Sequence, residues 1–211
     1  MSKKVSPLLV RLVVLFTSCL IISNILANRM IQVGPWSMDA GNLLFPITYI
    51  LSDVFSEVYG YQYSRFTNNL GIIMNLLAVI LFTVAIYLPS PSFYTGQEAF
   101  AFTLGSTPKM LIASYLGLYV GDYINDNVFR IMKKGKEGLD GFGWRAIASS
   151  IAGQLGDSLI FIPIAFIGQM PLSVMLTMMF TQAFLKVGYE IIIVPISSKV
   201  VKKVSDYEGD K

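Results

Sequence analysis

Six carboxylates interrupt stretches of this chain that are otherwise apolar: Asp53, Glu57, Asp122, Asp126, Asp157 and Glu190. One basic residue, Lys186, shares that setting. A charged side chain near the centre of a bilayer costs roughly 2.5–3.5 kcal/mol on insertion scales, so each of these needs a partner or a use. The cluster points to a polar cavity inside a membrane protein. Its sign narrows what enters: a cation, a proton, or a ligand that presents N–H donors.

The membrane setting follows from composition. Of 211 residues, 54% are hydrophobic and only 14% charged, whereas a soluble domain carries about 25% charged residues. At about 20 residues per span, the chain accommodates six helices with short loops. Residues 1–211 therefore read as a single all-α transmembrane domain with no separate soluble domain. The spans are expected at 8–28, 41–60, 68–88, 108–132, 144–168 and 172–201. Turn signals separate them at Val33-Gly34-Pro35, Gly60, Pro89-Ser90-Pro91, Gly135 to Gly143 and Gly168 to Pro171. The first apolar run, Leu8 to Ala27, is long for a signal-peptide core and lacks a clear cleavage site, so it reads as a retained span.

Orientation follows from the basic residues. Lys3, Lys4 and Arg11, then Arg65, then Arg130, Lys133, Lys134, Lys136 and Arg145, then Lys199, Lys202, Lys203 and Lys211 all fall on one side if there are six spans. That places both termini in the cytoplasm. The net charge of +3 is accounted for by this topology and calls for no nucleic-acid partner.

The absence of histidine removes the usual metal ligand and the usual neutral-pH proton carrier. Proton chemistry would fall to carboxylates, and neither a metal nor a cofactor is expected. The one cysteine, Cys19, permits no intrachain disulfide.

Helical spacing then groups the polar residues by face. Tyr49, Ser52, Asp53, Ser56 and Glu57 share a stripe in span 2. Tyr115, Asp122, Asn125, Asp126 and Arg130 share one in span 4. Span 5 aligns Ser150, Gln154 and Asp157; span 6 aligns Gln182, Lys186 and Glu190; span 1 offers Asn24 and Asn28. Gln154, Asp157 and Lys186 fall near the midplane by ~1.5 Å rise per residue. Two accounts of the charges stand side by side. Lys186 and Glu190, four residues apart, are spaced to neutralise each other, as are Asp126 and Arg130. Asp53, Asp122 and Asp157 have no such partner in their own helices. Pro163 and Pro195 are hinges or ordinary kinks. The outer loop 89–107, with Phe93, Tyr94, Phe100 and Phe102, suits an interfacial segment, a lid or an aromatic belt.

Span 2 carries a more specific pattern. Phe45-Pro46-Ile47-Thr48-Tyr49 leading into Ser52-Asp53-Val54-Phe55-Ser56-Glu57-Val58-Tyr59-Gly60-Tyr61 resembles the signature of the queuosine precursor transporter family, a vitamin-uptake-transporter-like group of six-span bacterial membrane proteins. The resemblance continues through Ser23-Asn24, Ala27-Asn28, Gly121-Asp122 and Gln154-Leu155-Gly156-Asp157-Ser158-Leu159-Ile160-Phe161. It implies import of 7-deazaguanine precursors of a tRNA base (preQ0, preQ1 or queuine) across the bacterial inner membrane.

The residues fit that ligand chemistry. A deazaguanine edge offers two adjacent N–H donors, which one carboxylate accepts together. Asp53, Glu57, Asp122, Asp157 and Glu190 are the candidate acceptors. Asn125, Gln154 and Lys186 are candidate donors to the ring carbonyl, and Tyr49, Tyr115 and Phe161 candidate walls for the flat ring. Asn24 and Asn28 would line the outer end of the path. The expected partners are this purine-like molecule and the lipid bilayer, with a homo-oligomer also compatible.

Two other classes compete. A substrate-binding subunit of an energy-coupling-factor-type vitamin importer would match the size and span count; no P-loop is present, so ATP use would belong to a partner. An intramembrane aspartyl hydrolase would need a paired aspartate motif, and Gly117 to Asp122 lacks the required glycine spacing. The chain therefore reads as a transporter rather than an enzyme.

Overall fold

The computed structural model describes residues 6–34, 36–133 and 142–209. The basic residues Lys3, Lys4, Lys134, Lys136 and Lys211, which carried part of the orientation argument, lie outside the described residues. The chain forms seven α-helices and one short hairpin among the described residues: α1 (Pro7–Leu26), β1 (Met30–Val33), β2 (Trp36–Asp39), α2 (Phe45–Val54), α3 (Tyr61–Tyr87), α4 (Gln97–Leu104), α5 (Thr107–Lys133), α6 (Phe142–Phe166) and α7 (Leu172–Gly209). Among the described residues, three segments are long and apolar enough to cross a membrane: Pro7–Leu26, Tyr61–Tyr87 and Ile147–Phe166. Side chains such as Val14, Ile73, Leu81, Leu118, Leu159 and Ile192 are exposed, as a surface facing lipid tails requires.

The chain divides into two compact units. The first comprises residues 1–29, 40–107 and 189–211; the second comprises 30–39 and 108–188. In the first, α1 begins at a Ser6 cap, whose Oγ accepts from the Leu8 amide at 3.2 Å, with Pro7 in the first turn. α3 packs on α1 through Thr67, Gly71, Asn75 and Val79, all buried at four-residue spacing. Phe16 and Phe55 meet edge to face at 5.6 Å within a core that includes Leu9 and Leu51.

The expected single span at 41–60 is three pieces. A 3-10 turn at Ala40–Leu44 leads into α2, and a π-helical turn at Phe55–Tyr59 follows, ending at Gly60 with φ +87°. Pro46, in the first turn of α2, has no N–H to continue a helix from before it, so the α pattern restarts there. Non-helical backbone within a membrane chain survives where protein buries it, and Met38, Asp39, Ala40, Gly41 and Asn42 are all buried. α3 begins at Tyr61, ahead of the expected 68, because Gly60 is the last breaker before it. The loop 89–107 contains α4, tied back by Gln97 Nε2 donating to the Ile86 carbonyl at 2.8 Å.

In the second unit the expected turn at Gly34 closes an antiparallel hairpin with Met30 opposite Asp39 and Val33 opposite Trp36. Gly34, at φ +61°, supplies the left-handed turn. α5 and α6 pack through glycines. A Cβ at Gly121 would lie 2.8 Å from the Gly153 carbonyl, and one at Gly153 would lie 2.8 Å from Asn125 Cβ. Small residues at such a crossing let helix backbones approach closely.

Candidate functional site: buried polar pairs on one helix face

The buried stripe on the N-terminal half of α7 contains Met175, Met178, Met179, Gln182, Ala183, Lys186 and Val187. Its spacing is that of a helix face turned into protein, and the two polar members stand one turn apart. Both are held by carboxylates. Lys186 Nζ forms an ion pair with Asp157 Oδ2 of α6, with side chains 8% and 14% exposed. Gln182 Nε2 donates to Asp39 Oδ2 of β2 at 2.7 Å, with Gln182 1% and Asp39 4% exposed.

Asp157 owes its place to the glycine crossing. A Cβ at Gly117 would lie 2.5 Å from Asp157 Oδ1 and 3.0 Å from its backbone oxygen; one at Gly121 would lie 3.0 Å from Asp157 Cβ. Any larger residue in α5 would occupy the carboxylate's space. Lys186, four residues from Glu190 on its own helix, pairs its ammonium with Asp157 from another helix. An ion pair between helices fixes their register, and removing one member of such a buried pair typically costs about 3–5 kcal/mol.

The other expected site residues of the second unit differ in burial. Tyr115, Asn125 and Gln154 are half-buried; Phe161 is buried and meets Phe166 edge to face at 6.0 Å; Asp122 is exposed. Phe161 Cβ is 3.2 Å from the position a Gly117 Cβ would take, so the base of this side chain and the carboxylate flank the same glycine. Across α7 from the polar stripe lies an apolar groove of about 480 Å3 lined by Trp36, Thr177, Phe180, Thr181, Phe184 and Leu185. Its lining includes neither Asp157 nor Lys186.

The remaining expected site residues belong to the first unit. Asn24 Nδ2 donates to Asn75 Oδ1 at 3.2 Å, a buried polar link between α1 and α3. Asn28 is half-buried and donates to the Ile25 carbonyl at 3.1 Å, while its buried Oδ1 has no hydrogen-bond partner among the described residues. Tyr49 stacks on Phe45 at 5.9 Å. Asp53 is exposed and accepts from Ser197 Oγ of α7 at 2.5 Å. Glu57 is exposed in the π-helical turn, and Glu190 is half-buried on α7.

Sequence reasoning missed Asp39. It sits outside every helix, so a search along helical faces passes over it. The available signal was the pair of four-residue runs flanking Gly34-Pro35, Met30–Val33 and Trp36–Asp39, which is the pattern of a tight hairpin.

A family model described as "Putative vitamin uptake transporter" matches residues 39–200. No curated protein matches the chain, and no solved structure matches it.

Proposed function

The chain belongs to the vitamin uptake transporter family, and from that premise we propose that it is a carrier importing 7-deazaguanine precursors of queuosine, preQ0 or preQ1, across a bacterial inner membrane. The family's description as a transporter speaks for transport rather than catalysis. In this proposal the chain has six spans with both termini in the cytoplasm, α2 and its flanking turns forming the broken second span.

The observation that carries the reading is the pairing of two carboxylates, Asp39 buried and Asp157 half-buried, with two buried donors on one face of α7. Each pair offers an acceptor beside a donor. A deazaguanine edge presents two N–H groups beside a carbonyl, the complement of that arrangement. The aminomethyl cation of preQ1 gains further from a site with a surplus of carboxylates, while a ligand lacking N–H donors gains nothing from them. The span 2 string Ser52-Asp53-Val54-Phe55-Ser56-Glu57 supports the same substrate class by resemblance.

Thermal unfolding of the purified protein with preQ0, preQ1, queuine, guanine and thiamine tests this. A ligand specific to the folded state stabilises it by about 2.7 kcal/mol at a hundredfold excess over its dissociation constant. Stabilisation by deazaguanines and not by thiamine is the expected result. Stabilisation by thiamine alone would move the substrate to another vitamin class.

A further inference from the structure

We propose that the π-helical turn Phe55–Tyr59 is a moving part latched by the end of α7, with Glu208 as the latch residue. The inference concerns how the chain moves and goes beyond the substrate proposed above. Three segments far apart in sequence meet on one atom: Glu208 Oε1 accepts from Ser6 Oγ at 2.5 Å and from Tyr59 Oη at 3.1 Å. Ser6 caps α1, and Tyr59 ends the π-helical turn. All three residues belong to the first unit. In the topology proposed above they lie at the cytoplasmic end of the spans, so the latch closes a gate on that side.

The turn has one fixed edge and one loose one. Leu51, Val54 and Phe55 are buried, which anchors its leading edge in the core. None of residues 56–66 is buried, and the next buried position is Thr67. A segment with so little buried surface opens far more easily than the core around it. Gly60 follows at φ +87°, with nothing within 4 Å of the place a Cβ would take, so the backbone has a joint there. Single π-helical turns are rare and recur at functional sites. This one sets Glu57, within it, against Asp53, on the last turn of α2; both are exposed. A one-residue change of register in the turn rotates one carboxylate relative to the other by about 100°.

Polar ties hold the segment as it stands. Ser197 Oγ of α7 donates to Asp53 Oδ2 at 2.5 Å ahead of the turn. Ser56 Oγ donates to Ser64 Oγ at 3.2 Å, across Gly60. Tyr59 donates to Glu208 behind the turn. α7 thus grips the turn from both sides. The grip behind it is a hydrogen bond to a half-buried carboxylate, which breaks and reforms while Phe55 stays packed. When Glu208 releases Tyr59, the turn changes register and the segment swings at Gly60.

Hydrogen exchange of the purified full chain tests the latch, read on peptides covering residues 52–66 and, for comparison, 150–160. Tyr59→Phe keeps the ring and removes the donor. It should speed exchange at residues 55–60 about tenfold, the worth of a hydrogen bond to a charged group, and leave 150–160 unchanged. Glu208→Ala should do the same at 55–60, and Glu208→Gln, which keeps an acceptor, should fall between it and wild type. Tyr59→Phe with Glu208→Ala should go no further than either alone, because both remove one bond. Unchanged exchange at 55–60 in the single variants overturns the proposal. So does an equal rise in every peptide, the mark of a plain structural strut, and so does a double variant whose effect is the product of the two singles. Should Glu208→Ala not fold, Tyr59→Phe and Glu208→Gln decide alone.

Exchange needs no substrate, so a chain that carries no deazaguanine strikes the proposed substrate and leaves this result standing. With a substrate that is carried, Tyr59→Phe should alter the maximal uptake rate while the dissociation constant stays near wild type. A wild-type rate beside a loosened turn overturns the gate.

Discussion

Lys186 of α7 and Asp157 of α6, twenty-nine positions apart in the chain, form a largely buried ion pair. The pair joins two helices, and the α5 backbone at Gly117 closes over its carboxylate. In the proposed function stability and transport share this one pair of side chains, which gives substitutions there two separable readouts.

Asp157→Asn should lower stability by about 3–5 kcal/mol if the pair behaves as fully buried, and by less in proportion to its residual exposure. The double variant Asp157→Asn with Lys186→Gln should regain part of that loss, because the ammonium is then gone as well. Uptake should be lost in both. Chemical denaturation of the four-member cycle checks the first statement; a coupling near zero would contradict a direct pair.

Gly117→Ala should act like a mild form of Asp157→Asn. The added methyl would lie 2.5 Å from Asp157 Oδ1, so the carboxylate must move or the helices must part. Overpacking of this kind costs about 1–3 kcal/mol. Uptake falling more steeply in Gly117→Ala than in an equally destabilised variant elsewhere in the chain is the expected outcome. A wild-type uptake rate in Gly117→Ala would show that the carboxylate's position is not critical.

Asn24 and Asn75 serve as a test of which polar residues are structural. Asn24→Ala leaves the Asn75 amide without its buried partner and should cost about 1–3 kcal/mol. Replacing both by Leu should restore much of the stability. If uptake survives in the double variant, Asn24 is a strut between α1 and α3 rather than a ligand contact, contrary to its place among the expected site residues.

Ser197→Ala removes the hydroxyl that donates to Asp53 at 2.5 Å. Asp53 is exposed, so the stability change should be about 1 kcal/mol or less. Asp53→Asn should abolish uptake while the protein still reaches the membrane. Normal uptake by both Asp53→Asn and Asp157→Asn would remove the carboxylates from the mechanism.

Much of the helical plan is legible in the sequence because apolar runs and breakers determine it. The spans expected at 108–132 and 144–168 correspond to α5 at Thr107–Lys133 and α6 at Phe142–Phe166. The 3-10 and π-helical turns around α2 are not legible, because apolar content is blind to which helix type a segment adopts. α7 continues to Gly209, past the expected 201, since a lysine-rich stretch ends a span without ending a helix. Asp157 and Lys186 were both singled out by depth, but sequence spacing shows only partners on the same helix, such as Glu190. Partnership across helices is set by packing, here by Gly117 and Gly121, and no local pattern encodes it. Asp39 escapes a search along helical faces for a related reason: it lies on the hairpin, not on a helical stripe.

The most direct test of the account is uptake of labelled preQ1 by liposomes containing this chain alone, wild type beside Asp157→Asn. A carrier that needs no second subunit should fill wild-type liposomes faster than empty ones without ATP, with Asp157→Asn at the empty-liposome rate. Tight binding of preQ1 with no flux above empty liposomes would contradict a stand-alone carrier and assign the chain to a substrate-binding subunit that waits on an energising partner.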